Sequence, residues 1–203
     1  MDCAIPQDAI ERVIAFHGHN CPGLAIGIRA AELALKEFGH NEETGLVAVV
    51  ETDMCGVDAI QVLTGCTFGK GNLIHRDVGK MAFSFYSRST GTGFRALLNP
   101  AVRADMDGKL APLMKRISQG TATEDDRQQA NALRLELQER FMESELERLF
   151  TVTPEKHPGP RPARILESLA CEACGESTME SRTRRFAGQT LCIPCFEAVE
   201  QKV

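Results

Sequence analysis

A chain of 203 residues, 43% hydrophobic and 25% charged, has the composition of an ordinary globular protein with enough length for a sizeable core and a small second domain. Its net charge of -5 argues against a protein built as a whole to coat nucleic acid or an anionic membrane, and its longest aliphatic run, Leu46 to Val50, is far too short to span a bilayer. The acid-bearing first residues lack an apolar core, and eight cysteines in such a chain suggest metal or redox chemistry before disulfides, so a cytoplasmic protein is expected.

A first helix beginning near Gln7 sets Ile10, Val13 and Ile14 on one side and delivers the chain to Phe16-His17-Gly18-His19-Asn20-Cys21-Pro22-Gly23. If this run is extended, His17, His19 and Cys21 share one face at alternate positions, a set of ligands that suits a metal. Pro22 fits the first position of a second helix and makes Cys21 its N-cap, where the positive helix end favours the thiolate. Cys21 and His19 are therefore the candidate catalytic residues, and His17, His19 and Cys21 the candidate ligands of a core metal. The plainer account of each alone is a loop imidazole bonded to backbone, or a buried thiol acting as a small hydrophobe.

Leu24, Ile28, Ala31, Leu35 and Phe38 then recur at the spacing of an amphipathic helix that Gly39 stops. Gly45 to Thr52 reads as a buried strand. Asp53 is placed to cap a short helix that turns Val57, Ile60 and Val62 or Leu63 inward, with Cys55 in its first turn. Cys55, like Cys21, would then stand at a helix start, and the two are candidates to converge on one pocket; a structural thiol under the strand is the alternative.

The loop Gly65-Cys-Thr-Phe-Gly-Lys-Gly-Asn72 lacks the spacing of a nucleotide-binding P-loop and has Gly71 where Ser or Thr would bind magnesium. It still presents Lys70, and with Arg88 beyond the next strand it supplies the candidate contacts for an anionic substrate group; solvated charges are the alternative. Met81 to Arg88 and Thr92 to Leu98 pair as an antiparallel hairpin across a Ser-Thr-Gly turn.

A short helix follows over Asp107 to Ile117, and a long one over Thr123 to Leu149 with Thr123 as cap. The long helix shows two apolar stripes, Ala130, Leu133, Leu137 and Phe141, and Leu135, Met142, Leu146 and Leu149. The second stripe is the motive for expecting a homodimer. Phe150 to Thr153 forms a last short strand, ending a core domain over residues 1–153. The proline-rich run 154–164 then reads as a linker.

In residues 165–203, Cys171-x-x-Cys174 and Cys192-x-x-Cys195 match a closed four-thiolate structural zinc site. A hairpin about Ala187-Gly188-Gln189 and a helix from Phe196 to Lys202 complete the order of a treble-clef finger. Some 40 residues bury too little apolar surface to fold without the metal. From Arg161 to Val203 six Lys or Arg balance six Asp or Glu, so the finger is read as a partner-docking module and not a nucleic-acid binder.

The runs FHGHNCPGLAIGIRAAELAL, CGVDAIQVLTGCTFGKGNL, DVGKMAFSFYSR and TGTGFR resemble the FmdE family, named for the FmdE component of formylmethanofuran dehydrogenase, over residues 5 to about 150. The resemblance implies an α+β core of helices on a small, mainly antiparallel sheet, a dimeric arrangement, and a site around His17, His19 and Cys21 with Cys55 nearby. It also implies a link to the molybdenum or tungsten enzyme that interconverts carbon dioxide and formylmethanofuran, although relatives are not confined to methanogens. Some members carry such a finger as an auxiliary C-terminal domain.

Two classes of function follow. In one, the chain is an enzyme or an oxidoreductase-associated subunit whose core metal, zinc by ligand type, activates water or a small C1 or anionic substrate. In the other it is a non-catalytic zinc-binding accessory that docks a partner such as a molybdopterin-enzyme subunit. A metal-free variant of the first has Cys21 acting as nucleophile or pairing reversibly with Cys55.

Overall fold

A helix buried on every side organises the first part of the chain. In the computed structural model, which describes residues 3–40, 45–155 and 159–200, the chain divides into two units, Met1–Pro162 and Ala163–Val203. In the first, α1 (Gln7–His17) buries Ala9, Ile10 and Val13 and ends at Gly18, whose φ of 90° makes the left-handed turn into the next helix. Helix α2 (Pro22–Phe38) starts as its sequence dictates: Cys21 is extended, its sulfur accepts the Leu24 N–H at 3.4 Å, and Pro22 sits in the first turn. The expected single apolar face is corrected, because every residue from Leu24 to Glu32 is buried. Arg29 and Glu32 are accommodated by pairing inside: Arg29 lies 3.0 Å from Glu32 and donates to the carbonyls of Met142 (3.3 Å) and Ser144 (2.7 Å).

Strand β1 (Leu46–Val50) is buried throughout and leads to α3 (Gly56–Thr64). Asp53 does not cap α3 as the sequence suggests; the helix starts later, with Cys55 at the N-cap position and without a side-chain capping bond. Strands β2 (Leu73–His75), β3 (Ala82–Ser87) and β4 (Thr92–Leu98) follow, and β5 (Phe150–Glu155) closes the sheet in the order β2-β1-β3-β4-β5. Within this sheet β1 and β2 run parallel and the other neighbours antiparallel; the expected hairpin is present with Ser87 opposite Thr92. The fold is α+β, mainly antiparallel, as the sequence indicates. One sheet face, with Ala48, Val50, Phe83, Phe85 and Phe94, shares a core with the helices, while Val47, Val49 and Tyr86 cluster on the other. No helix among the described residues is long and apolar enough to cross a membrane.

Between β4 and β5 lie α4 (Ala104–Ser118), α5 (Glu124–Glu143) and α6 (Leu146–Leu149). Thr123 caps α5 reciprocally with Asp126. The single long helix expected to Leu149 is broken at Ser144, whose extended backbone (φ -76°, ψ 145°) lets its carbonyl meet Arg29. The break dissolves the second stripe: Leu146 and Leu149 are buried in the chain's own core, Met142 packs against it, and Leu135 alone of the four stays exposed. Ala130, Leu137 and Phe141 of the first stripe are buried, as expected. Pro154, assigned to the linker, belongs to β5 opposite Phe94 and stands on the sheet edge, where a missing N–H is tolerated. Residues 156–158 of that linker lie outside the described residues.

In the second unit, β6 (Ser168–Ala170) pairs with β7 (Ser177–Met179), and β8 (Thr183–Phe186) with β9 (Gln189–Cys192). Ala187 and Gly188 have φ of 47° and 83°, the left-handed pair that a tight hairpin needs. Helix α7 (Ile193–Glu200) begins three residues before the expected Phe196, inside the second cysteine pair.

Helices α2 and α3 approach each other closely in the core. A Cβ on Gly27 would fall 2.1 Å from the Gly56 carbonyl oxygen, and one on Gly56 would fall 2.9 Å from that of Gly23. Gly27→Ala must push the two backbones apart and should cost about 1–3 kcal/mol in chemical denaturation. Gly69→Ala meets nothing within 4 Å and serves as the control; equal effects would contradict the close packing.

Beyond the end of β1, Glu51 takes two bonds from Arg95, at 2.5 and 2.9 Å, and these hold its carboxyl below the usual carboxylate range despite partial burial. A depressed folded pKa means that the pair stabilises fully above the unfolded value of about 4 and is lost as pH falls through the folded one. Glu51→Gln should therefore cost about 1–2 kcal/mol at pH 7 and progressively less in acid, as read from denaturation midpoints. A difference that stays constant down to pH 3 would contradict this.

Candidate metal centres

The helix-turn-helix junction between α1 and α2 places the first group of ligands. His17 is the last residue of α1, His19 lies in the turn, and Cys21 caps α2, so the run is not extended and the alternate-position argument for a shared face does not hold. The side chains converge all the same, because Gly18 reverses the chain. One ligand atom from each of His17, His19 and Cys21 lies within 4.8 Å of the others. The two imidazole centroids are 4.5 Å apart, and His17 Nε2 is 3.9 Å from Cys21 Sγ. Around a tetrahedral zinc, nitrogen and sulfur ligands stand about 3.6 Å apart, so the set fits a metal with little movement.

Asp58 completes the geometry, and sequence reasoning missed it. Its carboxylate lies 2.7 Å from His17 Nδ1 and accepts that N–H, which leaves Nε2 free to face Cys21. Carboxylate, histidine and metal in this order fix the ring and make it a better donor. The signal in the sequence is the spacing: Asp58 sits one helical turn after Cys55, on the helix that faces Cys21.

Cys55 is beside the group but outside its three-atom cluster. Between the two cysteines stands Gly23, where an added Cβ would lie 3.7 Å from Cys55 Sγ and 3.9 Å from Cys21 Sγ, so glycine here keeps the thiols in reach of each other. Burial, and then the Cys21 thiol, push the Cys55 pKa up. His17, Cys55 and Asp58 line a cleft of about 500 Å³ together with Gln61, Phe68 and His75. Lys70 and Arg88 do not line it. Lys70 donates to the Gly65 carbonyl at 3.1 Å, and Arg88 follows Ser87, which pairs with Leu46 at the start of β1, whereas the His/Cys group lies past that strand's end.

The second group lies in the other unit. Ligand atoms of Cys171, Cys174, Cys192 and Cys195 all fall within 4.8 Å of one another, and Cys174 and Cys192 sulfurs are 3.9 Å apart against about 3.8 Å for a zinc tetrahedron. Backbone N–H groups of Cys174, Cys192 and Ala173 hold the Cys171 pKa down at about 6, while the neighbouring thiols push Cys195 up to about 12. The backbone thus favours one thiolate, at Cys171. Among the described residues of this unit, Leu191 joins Cys171 and Cys192 as the buried apolar cluster, with Phe186 against Phe196 beside it, so apolar burial alone does not hold the unit.

Cys174→Ser or Cys192→Ser should lose one zinc per chain and unfold residues 165–203, while the first unit keeps its cooperative transition. Zinc content is read by elemental analysis, and it should also fall with acid as protons compete for the thiolates. Unchanged zinc in both variants would contradict the assignment.

Residues 16–151 match the family described as "FmdE, Molybdenum formylmethanofuran dehydrogenase operon", and residues 164–201 match the "Prokaryotic dksA/traR C4-type zinc finger". The chain is 31% identical over 204 residues to an Archaeoglobus fulgidus protein named "Probable S-adenosyl-L-methionine-binding protein", covering 95% of this chain and 54% of that one. It thus spans about half the length of that relative. The crystal structure of a tungsten formylmethanofuran dehydrogenase FmdE-like protein from Syntrophus aciditrophicus shares the fold with a TM-score of 0.62 at 24% identity, covering 96% of this chain and 94% of that one. With the family match running from Phe16 through the sheet, and four cysteines gathered as zinc ligands in the tail, the chain belongs to the FmdE family and carries a C-terminal C4 zinc finger.

Proposed function

We propose that the chain is a metal-binding protein of C1 metabolism, a subunit or relative of the molybdenum or tungsten formylmethanofuran dehydrogenase system, with its reactive centre at His17, His19 and Cys21. The observation that carries the reading is the convergence of these three ligand atoms, with Asp58 on the far nitrogen of His17. Zinc suits two imidazoles and a thiolate, and three protein ligands leave a fourth position open. Bound there, it supplies a Lewis acid and a water of lowered pKa.

The chain's own residues do the rest. Asp58 holds His17 in one tautomer and orientation. The Leu24 N–H holds the Cys21 sulfur in place at the start of α2. His19 is exposed at the mouth of the group, where it would complete the ligand set beside the open position. The tail, in the order knuckle, hairpin and helix, is a treble clef by our reading and serves as a docking module. We further propose a cytoplasmic homodimer, in a compartment that keeps the thiols reduced.

An accessory role is favoured by a different observation: Met54 and Phe68, which line the same cleft as His17, are 48% and 76% exposed, a rim that a partner protein would cover. Metal analysis separates the two. A reactive centre requires a second metal per chain beyond the finger's zinc, lost in His19→Ala and Cys21→Ser and bound about 10–100-fold more weakly in Asp58→Asn. A core that carries no metal and a sluggish Cys21 would leave the accessory role.

A further inference from the structure

Helix α5 turns an unassigned polar stripe toward this centre. Asn131, Arg134, Leu135 and Gln138 recur at the spacing of one helical face, beside the stripe of the buried Ala130, Leu137 and Phe141. With His19 and Asn20 they line a cleft of about 340 Å³, at the small end of the roughly 300–1,000 Å³ that ligand pockets span. It is separate from the cleft that His17 and Cys55 line, so the histidine pair stands between two openings.

The charges around it are unevenly satisfied. Arg140 of the same helix is bound to Asp105 and Glu136, Arg116 of α4 to Asp126, and Arg103 to Asp107. Among the described residues Arg134 has no hydrogen bond or ion pair, and no carboxylate lines its cleft. Its neighbours there are amides, which donate to an anion as readily as they accept. Leu135, 59% exposed, gives the cleft one apolar wall.

We propose that this cleft is the substrate's anion subsite: Arg134, flanked by Asn131, Gln138 and Asn20, takes the carboxylate of a small acid whose other end reaches the His19–Cys21 centre. The proposal rests on that centre being reactive, and it moves the anion contact from Lys70 and Arg88, which lie elsewhere, to a residue that shares a cleft with His19. Arginine suits the task because its planar fork holds a carboxylate by two bonds and remains charged at any working pH. Leu135 favours an apolar stretch of chain between the acid's two ends.

Alkylation of the intact, zinc-loaded chain tests it. Iodoacetate and iodoacetamide have the same size and both react with Cys21 in one way: the thiolate sulfur bonds to the methylene carbon as iodide leaves. Only iodoacetate carries the charge that Arg134 would hold. Rates at Cys21 are read by peptide mass spectrometry for wild type, Arg134→Gln, Arg134→Lys and the control Arg127→Gln. Arg127 belongs to the same helix but does not line the cleft, so its substitution removes an equal charge without touching the subsite.

The expected result is a fall of about tenfold in the iodoacetate-to-iodoacetamide ratio in Arg134→Gln, partial recovery in Arg134→Lys, and no change in Arg127→Gln. Thermal unfolding matching wild type confirms that the exposed substitution leaves the fold intact. A ratio unmoved by Arg134→Gln, or moved equally by Arg127→Gln, overturns the subsite while leaving the centre reactive. Slow reaction of wild-type Cys21 with both reagents, whether metal is bound or removed, overturns the centre and the subsite with it.

Discussion

Backbone-to-backbone contact between α2 and α3 is the constraint on which the core site depends. Gly23 and Gly27 lie one turn apart on α2 and let the start of α3 come against it at Gly56. Because both helices begin at this contact, their N-terminal positive ends and the cysteines that precede them are brought to one place. With larger residues the helices would cross further apart. Cys55 would then leave Cys21, and Asp58, one turn along α3, would lose His17. The glycines thus set the distances among these side chains, without a functional group of their own.

The two centres are built on opposite energetic plans. In the first unit the candidate ligands are mounted on a core that folds by its own burial, with α2 enclosed and the sheet behind it. Their geometry is set in advance, and a metal bound there would add chemistry more than stability. In the finger the ligands are nearly all the core there is, so binding and folding are one event. The same residue type, cysteine before or within a helix start, stands on a finished core in one unit and makes up much of the core in the other.

What can be read from the sequence follows from the range of the interaction concerned. Cys21 as N-cap, Pro22 after it, the strand Leu46–Val50 and the capping role of Thr123 rest on contacts between near neighbours, and those are legible. So are the four finger cysteines, since closed zinc sites constrain spacing. The convergence of His17, His19 and Cys21 is legible too, but not its cause: alternation suggests an extended run where a left-handed glycine in fact reverses the chain. Asp58 reaches His17 across 41 positions, and Arg29 reaches Ser144 across 115; no local pattern encodes such pairs. The second stripe of the long helix is broken up partly on the same account, because the turn at Ser144 presents its carbonyl to the distant Arg29 as well as bonding to Arg140 nearby.

That buried arginine also orders events during synthesis. An arginine enclosed in a helix core without acceptors carries a large desolvation cost, and Glu32 alone meets part of it. The carbonyls that meet the rest, at Met142 and Ser144, are made more than a hundred residues later. The last polar contacts of α2 therefore wait until the end of α5 has emerged and docked, and with them the full enclosure of the helix that Cys21 caps.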